Sequence, residues 1–279
     1  MLTLIGYIDP QQLPPTVLSP LANKFGYGQS LFVRLQKNRP DAVYLLRYAV
    51  TTDLPIIVIE CYAFSIQYRM HPDISRLPST LFYAQRLVDG PGMAEKTYQL
   101  WHKHPLFGTY KFVNVATGNE QPAHSGHSLV NRAECEVAAA LYNRIKTEYT
   151  DTDFDFRIGV ITMYRAQLLE LKKKFQIVFG ADVVGKVDFN TVDGFQGQEK
   201  DIIILSCVRA GPGIQSVGFL ADQRRLNVAI TRAKTSLFIL GHAATLERSD
   251  EMWKTIIHDA RSTSRFLDVR SYHSGLHCL

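Results

Sequence analysis

Cysteine, tryptophan and long apolar runs are all scarce in this chain of 279 residues, which holds four cysteines and two tryptophans. Cys61, Cys135, Cys207 and Cys278 are too scattered for any C-x-x-C pair. Neither a disulfide framework nor a cysteine metal or redox site is expected, and a reducing compartment, cytosol or nucleus, follows. The longest apolar stretch, residues 54–66, is interrupted by Glu60 and falls short of the roughly 20 residues that span a bilayer. The N-terminus has no apolar, cleavable segment. No transmembrane helix and no membrane partner are therefore expected. Repeats, low-complexity tracts and a strong charge bias are also missing. Thirty-one Lys and Arg against 26 Asp and Glu leave +5, compatible with a polyanionic partner and insufficient to establish one.

A working phosphate loop is lacking too. Residues 180–187, GADVVGKV, match G-x-x-x-x-G-K but place Val187 where a magnesium-holding hydroxyl belongs, and they follow a helix and enter a strand, the reverse of what such a loop needs. No apolar strand ends in an Asp-Glu pair, because Asp250-Glu251 opens a polar helix.

What is present is an alternation of elements. With 46% hydrophobic residues the chain can bury a sizeable core. β-branched runs at 110–115, 157–162, 187–192, 201–208 and 236–241 have the length of buried strands. Helix-period segments at 131–149, 165–179, 224–234 and 250–261 separate them, the first with Asn131 as N-cap. This pattern predicts an α/β, doubly wound, mostly parallel sheet with ligands at the carboxyl ends of its strands. The proline-rich first hundred residues read as loops and short helices.

Five blocks carry chemistry: GYIDPQQLPP (6–15), QYRMHP (67–72), GVITMYRAQ (159–167), TVDGFQGQEKD (191–201) and RRLNVAITRAK (224–234). Arg225 and Arg232, seven apart, would lie two turns along one helix face and could converge on one anion; a solvated basic helix is the alternative. Tyr68 beside Arg69 suits a base stack and a phosphate, or simply a buried ring and a surface cation. Gly194 and Gly197 fit close backbone approach or an ordinary turn. Thr162 and Tyr164 end a strand where a single strand could meet a hydroxyl and an aromatic, or where they merely cap the next helix. His71 has no Cys or His at ligand spacing and reads as structural. Lys172 to Lys174 reads as a solvated face.

In this order the blocks resemble motifs III to VI of superfamily 1 helicases of the nonsense-mediated-decay type. The text between them is most similar to the senataxin-like transcription-termination helicases, fungal ones especially. The resemblance implies a RecA-like fold and a nuclear, or nuclear and cytoplasmic, location. It implies Arg232 as arginine finger, Gln12 as γ-phosphate sensor, Tyr68 near adenine, Arg69 on phosphates, Gly197 at the nucleotide and Glu199 at the ribose. Thr162, Tyr164, Thr191 and Asp193 would face nucleic acid. ATP and Mg2+ would bind only with a first RecA-like domain, which with single-stranded RNA or DNA is the implied partner. Residues 1–20 would end that first domain, 21–262 form the second, and 263–279 a disordered tail. Residues 47–64 exceed the family pattern and read as a non-native insertion, such as a retained intron, or as a real inserted strand. On this reading the chain is the C-terminal half of an ATP-dependent helicase, unable to hydrolyse ATP alone; the alternative is a non-enzymatic binding module.

Overall fold

The computed structural model describes residues 66–123 and 128–269, the strands Val43–Leu46 and Cys61–Phe64, and four isolated positions, 21, 24, 25 and 29. Gln12 and the rest of the motif III block lie outside the described residues. Val43–Leu46 and Cys61–Phe64 pair in parallel, so the end of the suspected insertion is strand; residues 47–60 are not described.

Six strands form the central sheet: β1 (Tyr110–Asn114), β2 (Ile158–Thr162), β3 (Asp188–Thr191), β4 (Lys200–Ser206), β5 (Ala233–Gly241) and β6 (Phe266–Asp268). Their order is β6-β1-β5-β4-β2-β3 and every pairing is parallel. A parallel sheet must be covered on both faces, which explains its unbroken apolar runs. In β4, Ile203 and Leu205 face one core while Ile202 and Ile204 face the other. Helices α1 (Pro72–Phe82), α4 (Gln223–Ile230), α5 (Ala243–Ser249) and α6 (Glu251–Ser262) cover the first face; α2 (Arg132–Glu148) and α3 (Arg165–Phe179) cover the second.

Local signals act as expected at several ends. Asn131 caps α2 by accepting from the Glu134 N–H, and Asp250 caps α6. The false phosphate loop is a helix exit: Gly180 ends α3 at φ +87°, and Lys186 pairs with Asp155 at 2.9 Å. Lys174 is not simply solvated, because it pairs with Glu136 on α2.

In the proline-rich part, α1 runs through Pro78; Pro72 starts it, and burial of Ile74 and Leu77 outweighs the lost backbone bond. Two expectations are corrected. The 224–234 helix stops at Ile230, where the Thr231 hydroxyl donates to the Asn227 and Val228 carbonyls. The segment expected as a disordered tail from residue 263 contains β6, whose Phe266 stacks on Phe112 with rings 5.8 Å apart and 8° from parallel. Among the described residues no helix is long and apolar enough to cross a membrane.

Candidate functional site

QYRMHP is built around Gln67. Its Oε1 accepts from the N–H groups of Arg69 (2.9 Å) and Met70 (2.7 Å), while Nε2 donates to the Met70 carbonyl (2.8 Å) and to Asp89. This turn lets His71 cap α1, its Nδ1 accepting from the Asp73 N–H, and tethers the His71 N–H to the Lys234 carbonyl at 2.8 Å. His71 therefore has the structural role its isolation in the sequence suggested. The block is thereby pinned to the start of β5.

A charged cluster forms there from three distant blocks. Arg69 donates from Nε to Glu199 (2.5 Å) and from Nη1 to the Thr231 carbonyl (3.2 Å), and Lys234 reaches the other Glu199 oxygen at 2.9 Å. Burial alone would raise the Glu199 pKa; hydrogen bonds from Lys234 and Arg69, with their charges, hold it below the usual carboxylate range. Arg232 joins the cluster by donating to the Gln198 (3.3 Å) and Val228 (3.1 Å) carbonyls. Its side chain is turned inward, with the residue only 2% exposed. Because α4 ends before it, Arg232 does not share a helix face with Arg225, which pairs with Asp193 and Asp222. Tyr68 is 57% exposed and its ring lies over Gly90, where a Cβ would stand 2.2 Å from Cε1. Gly197 takes φ +82°, with open space where a side chain would project.

The described nucleotide-assigned residues thus gather at the amino ends of β4 and β5, not at the carboxyl ends that the fold class suggested. Glu199 immediately precedes β4, and Arg232 precedes β5. The nucleic-acid set lies at the opposite end of the sheet, because Thr162 and Thr191 are paired last residues of β2 and β3. Six residue steps along β4 separate the two levels by roughly 20 Å. Residues 192–199 cross between them, with Phe195 packed against β2 so closely that a Cβ on Gly159 would stand 3.0 Å from its ring.

At the carboxyl end the residues assigned to nucleic acid differ in exposure. Asp193 is exposed, Thr191 is half-buried, and the Gly194 N–H donates to Thr191 Oγ1. Thr162 is fully buried, its hydroxyl accepting from the Tyr164 N–H at 3.3 Å. Tyr164 is 3% exposed and offers no open ring face, because Phe219 packs edge-on over it, centroids 5.6 Å apart.

A buried polar network beneath this end escaped the sequence reading. Glu134 accepts from Ser206 Oγ (2.6 Å), from the Val208 N–H and from Asn131 Nδ2, while Gln167 donates to Ser206 Oγ. Burial pushes the Glu134 pKa up to about 8 against the pull of the Ser206, Val208 and Cys207 donors. The network holds Val208 at φ +73°, a rare conformation for a β-branched residue. Its only sequence signal is an Asn and a Glu three apart at a helix start.

A family model described as an AAA domain, AAA_12, matches residues 27–244. "Helicase sen1" of Schizosaccharomyces pombe is 46% identical over 259 residues, covering 93% of this chain and 14% of that protein. "Helicase SEN1" of Saccharomyces cerevisiae is 43% identical over 271 residues, 94% of this chain and 11% of the relative. "Probable helicase senataxin" of Homo sapiens is 38% identical over 261 residues, 93% and 9%. The chain therefore spans less than a sixth of the length of these curated relatives.

Proposed function

The chain belongs to the AAA_12 family and, within it, to the superfamily 1 helicases of the senataxin type, and from that premise we propose that it is the second RecA-like half of an ATP-dependent helicase for RNA or RNA/DNA hybrids. The observation that carries this reading is the meeting of Arg69, Glu199 and Lys234, from three sequence blocks, at one end of the sheet, with Arg232 bonded to the Gln198 carbonyl next to them. Such a cluster, anchored on a carboxylate and edged by an exposed ring, suits a nucleoside triphosphate. Tyr68 supplies a face for adenine, Glu199 accepts from ribose hydroxyls, Gly197 admits the ligand to the backbone, and Arg69 faces phosphate, with Arg232, turned inward onto the Gln198 carbonyl, leaving that carbonyl to join it.

Bound ATP with Mg2+ supplies the phosphoryl group whose transfer powers the cycle. Among the described residues no group of three or more His, Cys, Asp or Glu side chains could hold a metal ion. In this proposal the magnesium and the attacking water are held by the first RecA-like domain, to which residues 1–20 and Gln12 belong. Residues 21–262 form the second domain, and β6 extends its sheet. Arg232 stabilises charge on the γ-phosphoryl. The segment 192–199, which touches both ends of the sheet, couples the nucleotide to the strand. A nuclear site of action and a part in ending transcription belong to the same reading.

The test mixes this chain with a separately made first RecA-like domain of a senataxin-type helicase and measures RNA-stimulated phosphate release. Neither part alone should turn over, the mixture should, and Arg232→Ala should lower the rate by roughly 10³ to 10⁵. A silent mixture that still binds single strands favours the non-enzymatic module.

A further inference from the structure

Phe219 is 55% exposed although it lies on a short 3-10 turn, Gly218–Ala221, that is otherwise firmly held. Leu220 beside it is fully buried, and its carbonyl accepts from Trp253 Nε1 at 3.0 Å. Gly218 takes φ +58°, and a Cβ there would stand 3.0 Å from Arg209 Nη1 and 3.2 Å from the Tyr164 hydroxyl, so the turn sits directly on Tyr164. The guanidinium carbon of Arg225 lies 5.8 Å from the Phe219 centroid, and Arg225 Nε donates to Asp193 at 3.0 Å. Tyr164, Phe219, Arg225, Asp193 and Thr191 thus form one contiguous arc at the carboxyl end of the sheet. Phe219 is the aromatic in that arc with an exposed face.

We propose that Phe219, in place of the buried Tyr164, is the platform on which a base of the bound single strand stacks, with Arg225 beside it to meet the adjoining phosphate; this rests on the nucleic-acid reading above. The chemistry selects the ligand. A phosphate gains nothing from an apolar ring, whereas any base has a π-face that does, whatever its sequence. The ring also has a cation beside it, the Arg225 guanidinium carbon lying 5.8 Å from its centroid, as suits a base whose adjoining phosphate must be met. A rigid turn keeps the ordering cost of binding low.

The experiment measures binding of a short fluorescein-labelled oligouridine to the full chain by anisotropy over a salt series, for wild type, Phe219→Leu and Phe219→Trp. Leucine keeps the bulk and loses the stack, so affinity should fall roughly five- to 150-fold while the salt slope stays constant. Tryptophan should bind at least as tightly as wild type. Cross-linking of 4-thiouridine oligonucleotide should label the peptide containing Phe219. Because the ring is exposed, melting temperatures should agree and separate lost binding from lost fold. If wild type binds and leucine binds equally well, the Phe219 assignment is overturned and the helicase reading stands. If wild type binds no oligonucleotide, the nucleic-acid reading itself fails. If leucine weakens only association with the first helicase domain, the ring is a protein contact and the proposal is wrong.

Discussion

Gln67 satisfies two N–H groups, those of Arg69 and Met70, in the turn that presents Tyr68 and Arg69. Gln67→Leu keeps much of the volume and strands both donors, so stability should fall by roughly 2–4 kcal/mol in urea unfolding, with phosphate release by the mixture with the first domain lost as well. Ser236 and the backbone of the same region enclose His102, whose Nδ1 accepts from the Gln99 N–H and whose Nε2 lies 3.3 Å from Ser236 Oγ. That arrangement fits a neutral ring. Burial first, and then the neighbouring His71, lower its pKa from 6.5 to about 4, against the Thr235 carbonyl and Asp73. The unfolded chain takes the proton first as pH falls, so the stability due to the neutral ring is complete above 6.5 and is lost between 6.5 and about 4. Wild type minus His102→Gln, measured as unfolding free energy across that window, should shrink with falling pH and stay flat above it. A flat difference throughout would remove the titration argument.

Among the elements, β2 depends on Gly159. A Cβ there would stand 2.9 Å from the Ile203 Cδ1 and 3.0 Å from the Phe195 ring, the residue that carries the 192–199 segment across the sheet. Gly159→Val should cost about 1–3 kcal/mol and, by displacing Phe195, weaken nucleotide and strand binding together; losing one without the other would deny that this segment couples them. β1 to β5 and α2, α3 and α6 were legible because a parallel sheet writes its burial as unbroken apolar runs and because Asn131 and Asp250 mark helix starts. The end of α4 was not, since TRAK continues the helical pattern and only the pairing of Ala233 with Lys200 turns it into strand. β6 was missed because three residues give no periodicity; its stability comes from Phe112 and from Arg261 over the Phe266 ring at 4.7 Å.

At the scale of the whole molecule, the suspected insertion pairs only with Val43–Leu46 among the described strands, apart from the six-stranded sheet. Deleting residues 47–64 should therefore leave the melting temperature of the main sheet within a few degrees and keep oligonucleotide binding. A collapse of either would make the segment an integral part of the fold.

The sequence by itself determined the fold class and the family and singled out the blocks whose residues cluster at the amino ends of β4 and β5, because apolar periodicity and five ordered blocks are properties of nearest neighbours along the chain. Only the tertiary structure decided which of those residues are reachable. Exposure depends on what folds over a side chain from elsewhere: Phe219, some fifty residues downstream, covers Tyr164, and the turn at Thr231 points Arg232 at the Gln198 carbonyl. The placement of the Arg69–Glu199 cluster and of Thr162 and Thr191 at opposite ends of one sheet has the same origin. Spacing along a strand is local, but which end of it a distant loop returns to is settled by the direction of the crossover.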